Sequence, residues 1–247
     1  TYSFYDVWAE LFRIPYKQMP LDENFRLKID DYKGENGGIV FPNPNAPTGI
    51  YESLDHVEEI IKNNPDVIVI VDEAYIDFGG ETALPLIDKY DNLVVVRTFS
   101  KSRSMAGLRI GYAISNPELI KALNDVKYSY NSYTMNRPSL VLGVESIHDD
   151  AYFREKVGQI IATRERFVKE IAELGFTCLP SSANFVFATH ESIPAKKIFA
   201  AAKENNIYVR YFDKPRIDNY LRISIGTDAE MDAFVAFLKG YVETKQN

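Results

Sequence analysis

Short apolar runs alternate with longer amphipathic segments through the first half of this 247-residue chain. Such alternation is typical of α/β proteins, in which crossover helices cover the faces of a mostly parallel sheet. Helical spacing of apolar residues predicts a helix over residues 54–63, and Asn116 before Pro117 predicts the start of another over residues 118–127. We predict strands in the apolar runs at residues 38–41, 67–71, 93–98 and 109–114.

The pattern changes from Asp149 onward. A long helix is predicted from there to about residue 174, with Gly175 as its end. Thr227 and Glu230 match a capping box that opens the last helix. A helix is predicted at residues 195–205, and strands at residues 185–188, 207–212 and 220–225.

These two patterns predict an α/β chain of two parts. Residues 1–135 would form a large domain with a mostly parallel sheet, and residues 136–247 a linking helix with a smaller α+β domain. Because no Pro/Gly/Ser-rich linker separates the two parts, we expect them to pack tightly.

Composition excludes several classes of function. A net charge of -7, without clustered basic residues, argues against nucleic-acid binding. The longest apolar runs are far shorter than the ~18 residues of a membrane span. The single cysteine, Cys178, cannot form an internal disulfide, so we expect a protein of the reducing cytoplasm. Chemistry on a small molecule is the favoured interpretation.

One candidate site follows the strand at residues 93–98. Lys101 lies there, with Ser100 before it and Arg109 eight residues later. A lone lysine is usually a solvated surface residue. The serine hydroxyl and the forked arginine could instead hold a phosphate group beside it.

Two further candidates follow other predicted strands. Asp72 ends one strand, where it could simply face water, or could hold a protonated ring nitrogen such as that of a pyridoxal cofactor. The stretch at residues 43–49 is rich in Asn and Pro and could be a plain turn. Ligands of α/β sheets bind beyond the carboxyl ends of strands, which favours a functional interpretation of both.

Arg222 lies within an apolar strand and therefore needs an anionic partner, either a structural acid or a substrate carboxylate. Arg210, twelve residues earlier, is a second cation that could face the same crevice.

In chain order, the four motifs are residues 43–49, the stretch that begins at Asp72, the stretch around Lys101, and the strand around Arg222. Together they resemble those of the fold type I pyridoxal-phosphate aminotransferases, in particular the histidinol-phosphate aminotransferase branch. The resemblance extends from residues 1–5 to the strand around Arg222. It implies a homodimer that uses pyridoxal 5'-phosphate and transfers an amino group between L-histidinol phosphate and 2-oxoglutarate in histidine biosynthesis. It also implies that the family's N-terminal portion is absent from this sequence, and an inactive chain is therefore one expectation.

The resemblance assigns cofactor roles to individual residues. Lys101 would form the imine bond with the cofactor and move the substrate proton. Asp72 would pair with the pyridine nitrogen, and Tyr75 would donate to the ring hydroxyl. Ser100 and Arg109 would hold the cofactor phosphate.

Other assignments concern the ring and the substrate. Tyr2 would stack on the pyridine ring. The family has an asparagine where this chain has Ala46, so that either Asn45 replaces it or Tyr75 alone donates to the ring hydroxyl. Arg222 would bind the substrate α-carboxylate, and Arg210 its phosphate. A further substrate-site candidate is Asn131.

Rival functions share much of this pattern. An aromatic amino acid aminotransferase or a phosphothreonine decarboxylase would use the same cofactor residues. A rival of another class is a non-catalytic aminotransferase-like module kept for sensing or dimerisation.

Overall fold

The computed structural model describes residues 2–246. Its first half contains a four-stranded sheet in the order β1–β2–β3–β4. The first three strands are parallel, and the fourth pairs antiparallel at the edge. These strands are β1 (Ile39–Pro42), β2 (Val69–Asp72), β3 (Leu93–Thr98) and β4 (Gly111–Ile114). The predicted mostly parallel α/β sheet is confirmed.

Seven α-helices are present within residues 2–246, and several one-turn 3-10 helices join them to the strands. The 3-10 helices that matter for the site are Ile76–Phe78 and Ala106–Leu108. The α-helices are α1 (Phe4–Leu11), α2 (Leu54–Lys62), α3 (Pro117–Tyr130), α4 (Arg137–His148), α5 (Asp150–Ala172), α6 (Ala195–Glu204) and α7 (Asp228–Gln246).

The α2 helix covers one face of the first sheet. Ser53 caps it by accepting a hydrogen bond from the His56 amide. Val57, Ile60 and Ile61 form the buried face, and they pack against alternate residues of β2 and β3. This packing fixes the sheet whose strand ends carry the candidate site.

The second half contains an antiparallel sheet in the order β5–β6–β8–β7. Val186 and Ala188 of the second strand and Leu221 of β8 pack with Phe167 and other residues of α5, α6 and α7 in a separate core. The strands are β5 (Phe176–Cys178), β6 (Phe185–His190), β7 (Arg210–Tyr211) and β8 (Leu221–Ser224). This antiparallel sheet with its helices agrees with the α+β second half predicted from the sequence.

Several predicted boundaries are wrong, and local backbone conformation explains two of them. The strand predicted at residues 109–114 begins only at Gly111, because Arg109 has a left-handed φ of 57° after a 3-10 turn. The strand predicted at residues 207–212 is only Arg210–Tyr211, since Asn206 is also left-handed and delays the pairing. The sequence analysis did not predict strand β5 or helices α1 and α4.

A buried arginine on α5 joins the two halves. The Arg164 Nη1 atom donates hydrogen bonds to the carbonyl oxygens of Phe78, at 3.0 Å, and Ala183, at 2.8 Å. The Ser182 amide adds a bond of 2.8 Å to the Gly49 carbonyl oxygen. The two sheets are therefore held in one arrangement by polar contacts between main-chain groups and one guanidinium.

None of the helices within residues 2–246 combines the length and the apolar character that crossing a bilayer requires.

We expect Arg164→Met to destabilise the chain strongly. The change leaves the Phe78 and Ala183 carbonyl oxygens buried without a donor, and each such loss costs about 1–3 kcal/mol. The measurement is the midpoint of urea unfolding. Arg154→Met on the same helix is the control, because Arg154 makes only an exposed pair with Asp150 and should shift the midpoint little. Equal shifts for both variants would contradict the role given to Arg164.

Candidate functional site

The parallel register brings three strand ends to one edge of the first sheet. Pro42 of β1 is aligned with Asp72 of β2, and Asp72 with Val96 of β3. The turn at residues 43–49, the Asp72 carboxylate and the turn that carries Lys101 therefore follow from the same edge, where α/β sheets bind ligands.

Asp72 is more than half-buried and is held by two donors. Its Oδ2 atom accepts a hydrogen bond of 2.6 Å from the Tyr5 hydroxyl, and its Oδ1 atom one of 3.0 Å from the Ala74 amide. Burial raises the pKa of the Asp72 carboxyl, against the opposing effects of these two bonds and of the Lys101 charge. The site thus favours a neutral carboxyl or one that faces a cation.

The Tyr5 contact was not predicted from the sequence. Burial, with the adjacent Asp72 charge, raises the pKa of the Tyr5 hydroxyl, so this group stays protonated as a donor. Tyr2 and Trp8 pack edge-on or tilted against the Tyr5 ring, and Tyr2 stacks on Phe4. The aromatic composition of α1 was the available signal for this cluster.

A continuous series of contacts joins the first sheet to the second. The Lys101 Nζ atom lies 5.2 Å from the centroid of the Tyr75 ring. The Tyr75 ring packs edge-to-face on Phe185 of β6, with centroids 5.2 Å apart. The Arg222 guanidinium lies 5.2 Å from the centroid of the same Phe185 ring. Lysine and arginine thus lie on either side of two aromatic rings, a favourable arrangement for both cations.

Arg222 has unused hydrogen-bonding capacity. Its Nε atom is buried and has no hydrogen-bond partner among residues 2–246. Buried donors are nearly always paired, so this atom is suited to an acceptor supplied by a ligand. Arg210 is the cross-strand partner of Arg222, on the same face of the second sheet, and its guanidinium lies over Phe212.

The two predicted phosphate-binding residues follow the end of β3. Ser100 is partly buried, whereas Arg109 is exposed. The Ser100 hydroxyl lies 2.9 Å from that of Thr98, which accepts a bond from the Ser100 amide. Arg109 is exposed, and its Nη1 atom donates to the Ala106 carbonyl oxygen at 2.8 Å. Arg109 therefore binds its own turn in this structure.

Asn45 lies inside the turn at residues 43–49. Its Nδ2 atom donates to the Thr48 hydroxyl at 2.8 Å, and the Gly49 amide donates to the Asn45 carbonyl oxygen. The neighbouring Ala46 is buried with Ala183 and Phe185 in an apolar cluster against which Tyr75 packs. These apolar surroundings suit alanine better than the asparagine expected there from the resemblance.

The remaining candidate, Asn131, is exposed where α3 ends, and its side-chain oxygen accepts a hydrogen bond from the Tyr133 amide. The aromatic residue Phe185 was missed by sequence reasoning, because nothing in the local pattern of β6 shows that its ring meets both Tyr75 and Arg222.

We expect Asp72→Asn to stabilise the ligand-free chain at neutral pH. Because the folded-state pKa of Asp72 lies above its unfolded value, the protonated form favours folding, and stability is lost as pH rises through the folded-state pKa. Asparagine resembles the protonated acid. The gain over wild type in the urea midpoint should grow from pH 4 to pH 7, while the exposed control Asp88→Asn should show no such growth. A gain that is constant over this range would refute the assignment.

Comparison with known proteins gives a consistent result. The family model for aminotransferase class I and II matches residues 1–238. The histidinol-phosphate aminotransferase of Lactococcus lactis subsp. cremoris (strain SK11) is 51% identical over 246 residues, which are 100% of this chain and 69% of that protein.

Solved structures are similar as well. The histidinol-phosphate aminotransferase from Clostridium acetobutylicum superposes with a TM-score of 0.91 at 25% identity, over 99% of this chain and 76% of that one. The histidinol-phosphate aminotransferase from Sinorhizobium meliloti, in complex with pyridoxal-5'-phosphate, has a TM-score of 0.75 at 27% identity, over 84% and 58% of the two chains.

Proposed function

The chain belongs to the class I and II aminotransferases, and we propose that it transfers an amino group between L-histidinol phosphate and 2-oxoglutarate, with pyridoxal 5'-phosphate as its cofactor. The observation that carries this proposal is the arrangement of Lys101, Tyr75, Phe185 and Arg222 near Asp72, whose pKa burial raises. The names of the similar proteins, one of them solved with this cofactor, support the substrate and the cofactor.

The residues at the strand ends fit such a cofactor. The raised pKa of Asp72 indicates a carboxyl that gains from a cationic neighbour, such as a protonated ring nitrogen. Lys101 provides an amine at the same edge, and Tyr75 a hydroxyl for the ring oxygen. Ser100 and Arg109 would hold the phosphate, for which the exposed Arg109 must exchange its bond to Ala106.

Tyr2 and Asn45 complete the proposed set. Tyr2 is half-exposed beside Tyr5 and would stack on the ring, while Asn45 would reach the ring hydroxyl from its turn. When bound, the cofactor supplies an electron sink for negative charge at the substrate α-carbon.

Each protein group then has a defined task. With the cofactor bound, the Lys101 Nζ atom would accept the proton from the substrate α-carbon and would donate it again in the step that completes the amino transfer. Arg222 binds the α-carboxylate through its buried Nε atom and so fixes which bond breaks. Arg210 would bind the phosphate of the substrate, and Asn131 would contact the substrate at its entrance.

The proposal extends to domains and setting. Residues 1–135 would bind the cofactor, and residues 136–247 would supply the linking helix and small domain. We place the reaction in the cytoplasm, in keeping with a single cysteine. Burial raises the pKa of the Cys178 thiol to about 12, which keeps it protonated and unreactive.

The proposed activity is tested by absorbance and turnover. The chain with added pyridoxal phosphate should develop a near-visible band that Lys101→Ala lacks and the exposed control Lys203→Ala retains. With histidinol phosphate and 2-oxoglutarate, the Lys101→Ala variant should lose at least about 100-fold in rate, the lower range for loss of a proton-transfer group.

Turnover of other substrates distinguishes the proposed function from its rivals. Faster turnover of aromatic amino acids, or release of carbon dioxide from phosphothreonine, would replace the proposed reaction with one of the rivals. A cofactor band with turnover of none of these substrates would favour a sensing module.

We also propose a homodimer, supported by exposed apolar side chains on two consecutive helices. Leu123 and Val126 of α3 and Leu140, Val141 and Val144 of α4 are each about half or more exposed.

Sedimentation equilibrium tests this state. Leu140→Glu would place two charges in a dimer interface through α4 and should give the monomer mass. Tyr208→Glu, at an exposed aromatic of the second half, should leave the dimer intact. A wild-type chain that sediments as a monomer at all concentrations would refute the homodimer for this chain.

A further inference from the structure

A polar network lies behind the candidate site and contacts the residues that follow β2 and those at the end of β3. Glu73, next to Asp72, is buried and accepts hydrogen bonds from Arg97 Nε, at 3.0 Å, and Arg97 Nη2, at 2.8 Å. The Thr82 hydroxyl and the Ala83 amide also donate to Glu73, at 2.7 and 2.6 Å. Both carboxylate oxygens are therefore satisfied, and this part of the network forms a fixed frame between β2 and β3.

Asp77 connects that frame to the turn that carries Lys101. It lies in the 3-10 helix two residues after Tyr75, and its Oδ1 atom is 3.8 Å from Arg97 Nη1. Its Oδ2 atom accepts a hydrogen bond of 2.5 Å from the hydroxyl of Ser102, a buried residue directly after Lys101. One carboxylate thus joins the segment of Tyr75 to the segment of Lys101.

The geometry points to a positioning role: we propose that Asp77, through Ser102, holds the Lys101 amine at its place over the Tyr75 ring. This inference rests on the proposed function of Lys101. A bond from a hydroxyl to a carboxylate is short and roughly twice as strong as a neutral one, so it can hold the turn against relaxation. Asp77 itself does not contact the reacting atoms in this role.

The other contacts of the turn act in different directions. Arg103 lies over the rings of Phe99 and Phe153 and donates to the Ser146 carbonyl oxygen, which ties the turn to α4 and α5. The Ser104 amide closes the turn onto the Lys101 carbonyl oxygen. Neither contact reaches the segment of Tyr75. Within residues 2–246, the hydrogen bond from Ser102 to Asp77 is the one that joins the turn at residues 99–105 to residues 73–79.

The test measures Lys101 directly, without cofactor. Trace acetylation of the ligand-free chain over a range of pH, followed by mass spectrometry, gives the labelling rate and pH profile of each lysine. In Asp77→Ala and in Ser102→Ala, Lys101 should label about fivefold faster, the factor expected from one hydrogen bond. Its labelling rate should approach that of the exposed Lys89.

Two further variants separate positioning from general loss of stability. Asp77→Asn keeps an oxygen that accepts from Ser102 and should restore most of the wild-type profile. Asp228→Ala removes a bond of 2.8 Å from the Thr163 hydroxyl and an ion pair with Arg166 in the second half, and it should lower stability without changing Lys101. The double variant of Asp77 and Ser102 should label no faster than either single variant, because both remove the same bond.

The outcomes are distinct for the two proposals. If Lys101 labels at the wild-type rate in Asp77→Ala while the unfolding midpoint falls, the contact is only structural and the positioning role is overturned. If the wild-type chain forms no cofactor band, the proposed function fails while the labelling result for Lys101 still stands. In the active enzyme, Asp77→Ala should lower kcat with little change in KM, since Arg222 is untouched.

Discussion

The hydrogen bonds of Arg164 set the relation between the two sheets on which the candidate site depends. One of its acceptors, the Phe78 carbonyl oxygen, lies in the segment that carries Tyr75 and Asp77. The other, the Ala183 carbonyl oxygen, lies two residues before Phe185. With the bond from the Ser182 amide to the Gly49 carbonyl oxygen, this buried guanidinium holds the segment of Phe185 beside that of Tyr75.

The site combines groups that are costly to bury alone. Asp72 loses hydration at the end of β2, and Arg222 holds an unpaired buried donor on the other sheet. In the ligand-free chain these costs are only partly offset, by Tyr5 for the acid and by the Phe185 ring for the arginine. A ligand with a cationic ring nitrogen and a carboxylate would satisfy both, which gives the ligand-free site a physical reason to bind one.

Sequence patterns predicted those parts of the fold that local chemistry determines. The strand β3 has the predicted bounds, α2 ends one residue early, and the capping box of Thr227 and Glu230 has both of its hydrogen bonds. The α4 helix was missed because apolar residues occur on all its sides, which leaves no helical period to detect. Contacts that join distant segments, such as Tyr5 with Asp72 or Phe185 with Tyr75, leave no trace in local spacing.

The aromatic cluster formed by Tyr2 and the rings of α1 makes intrinsic fluorescence a probe of the candidate site. Trp8 is the sole tryptophan of the sequence, and its ring lies about 6.1 Å from those of both Tyr2 and Tyr5. The Tyr5 hydroxyl in turn donates a hydrogen bond to Asp72. Any molecule that displaces this hydroxyl from the carboxylate also shifts the rings around the indole, so the intrinsic fluorescence of one residue follows events at the strand edge without an added label.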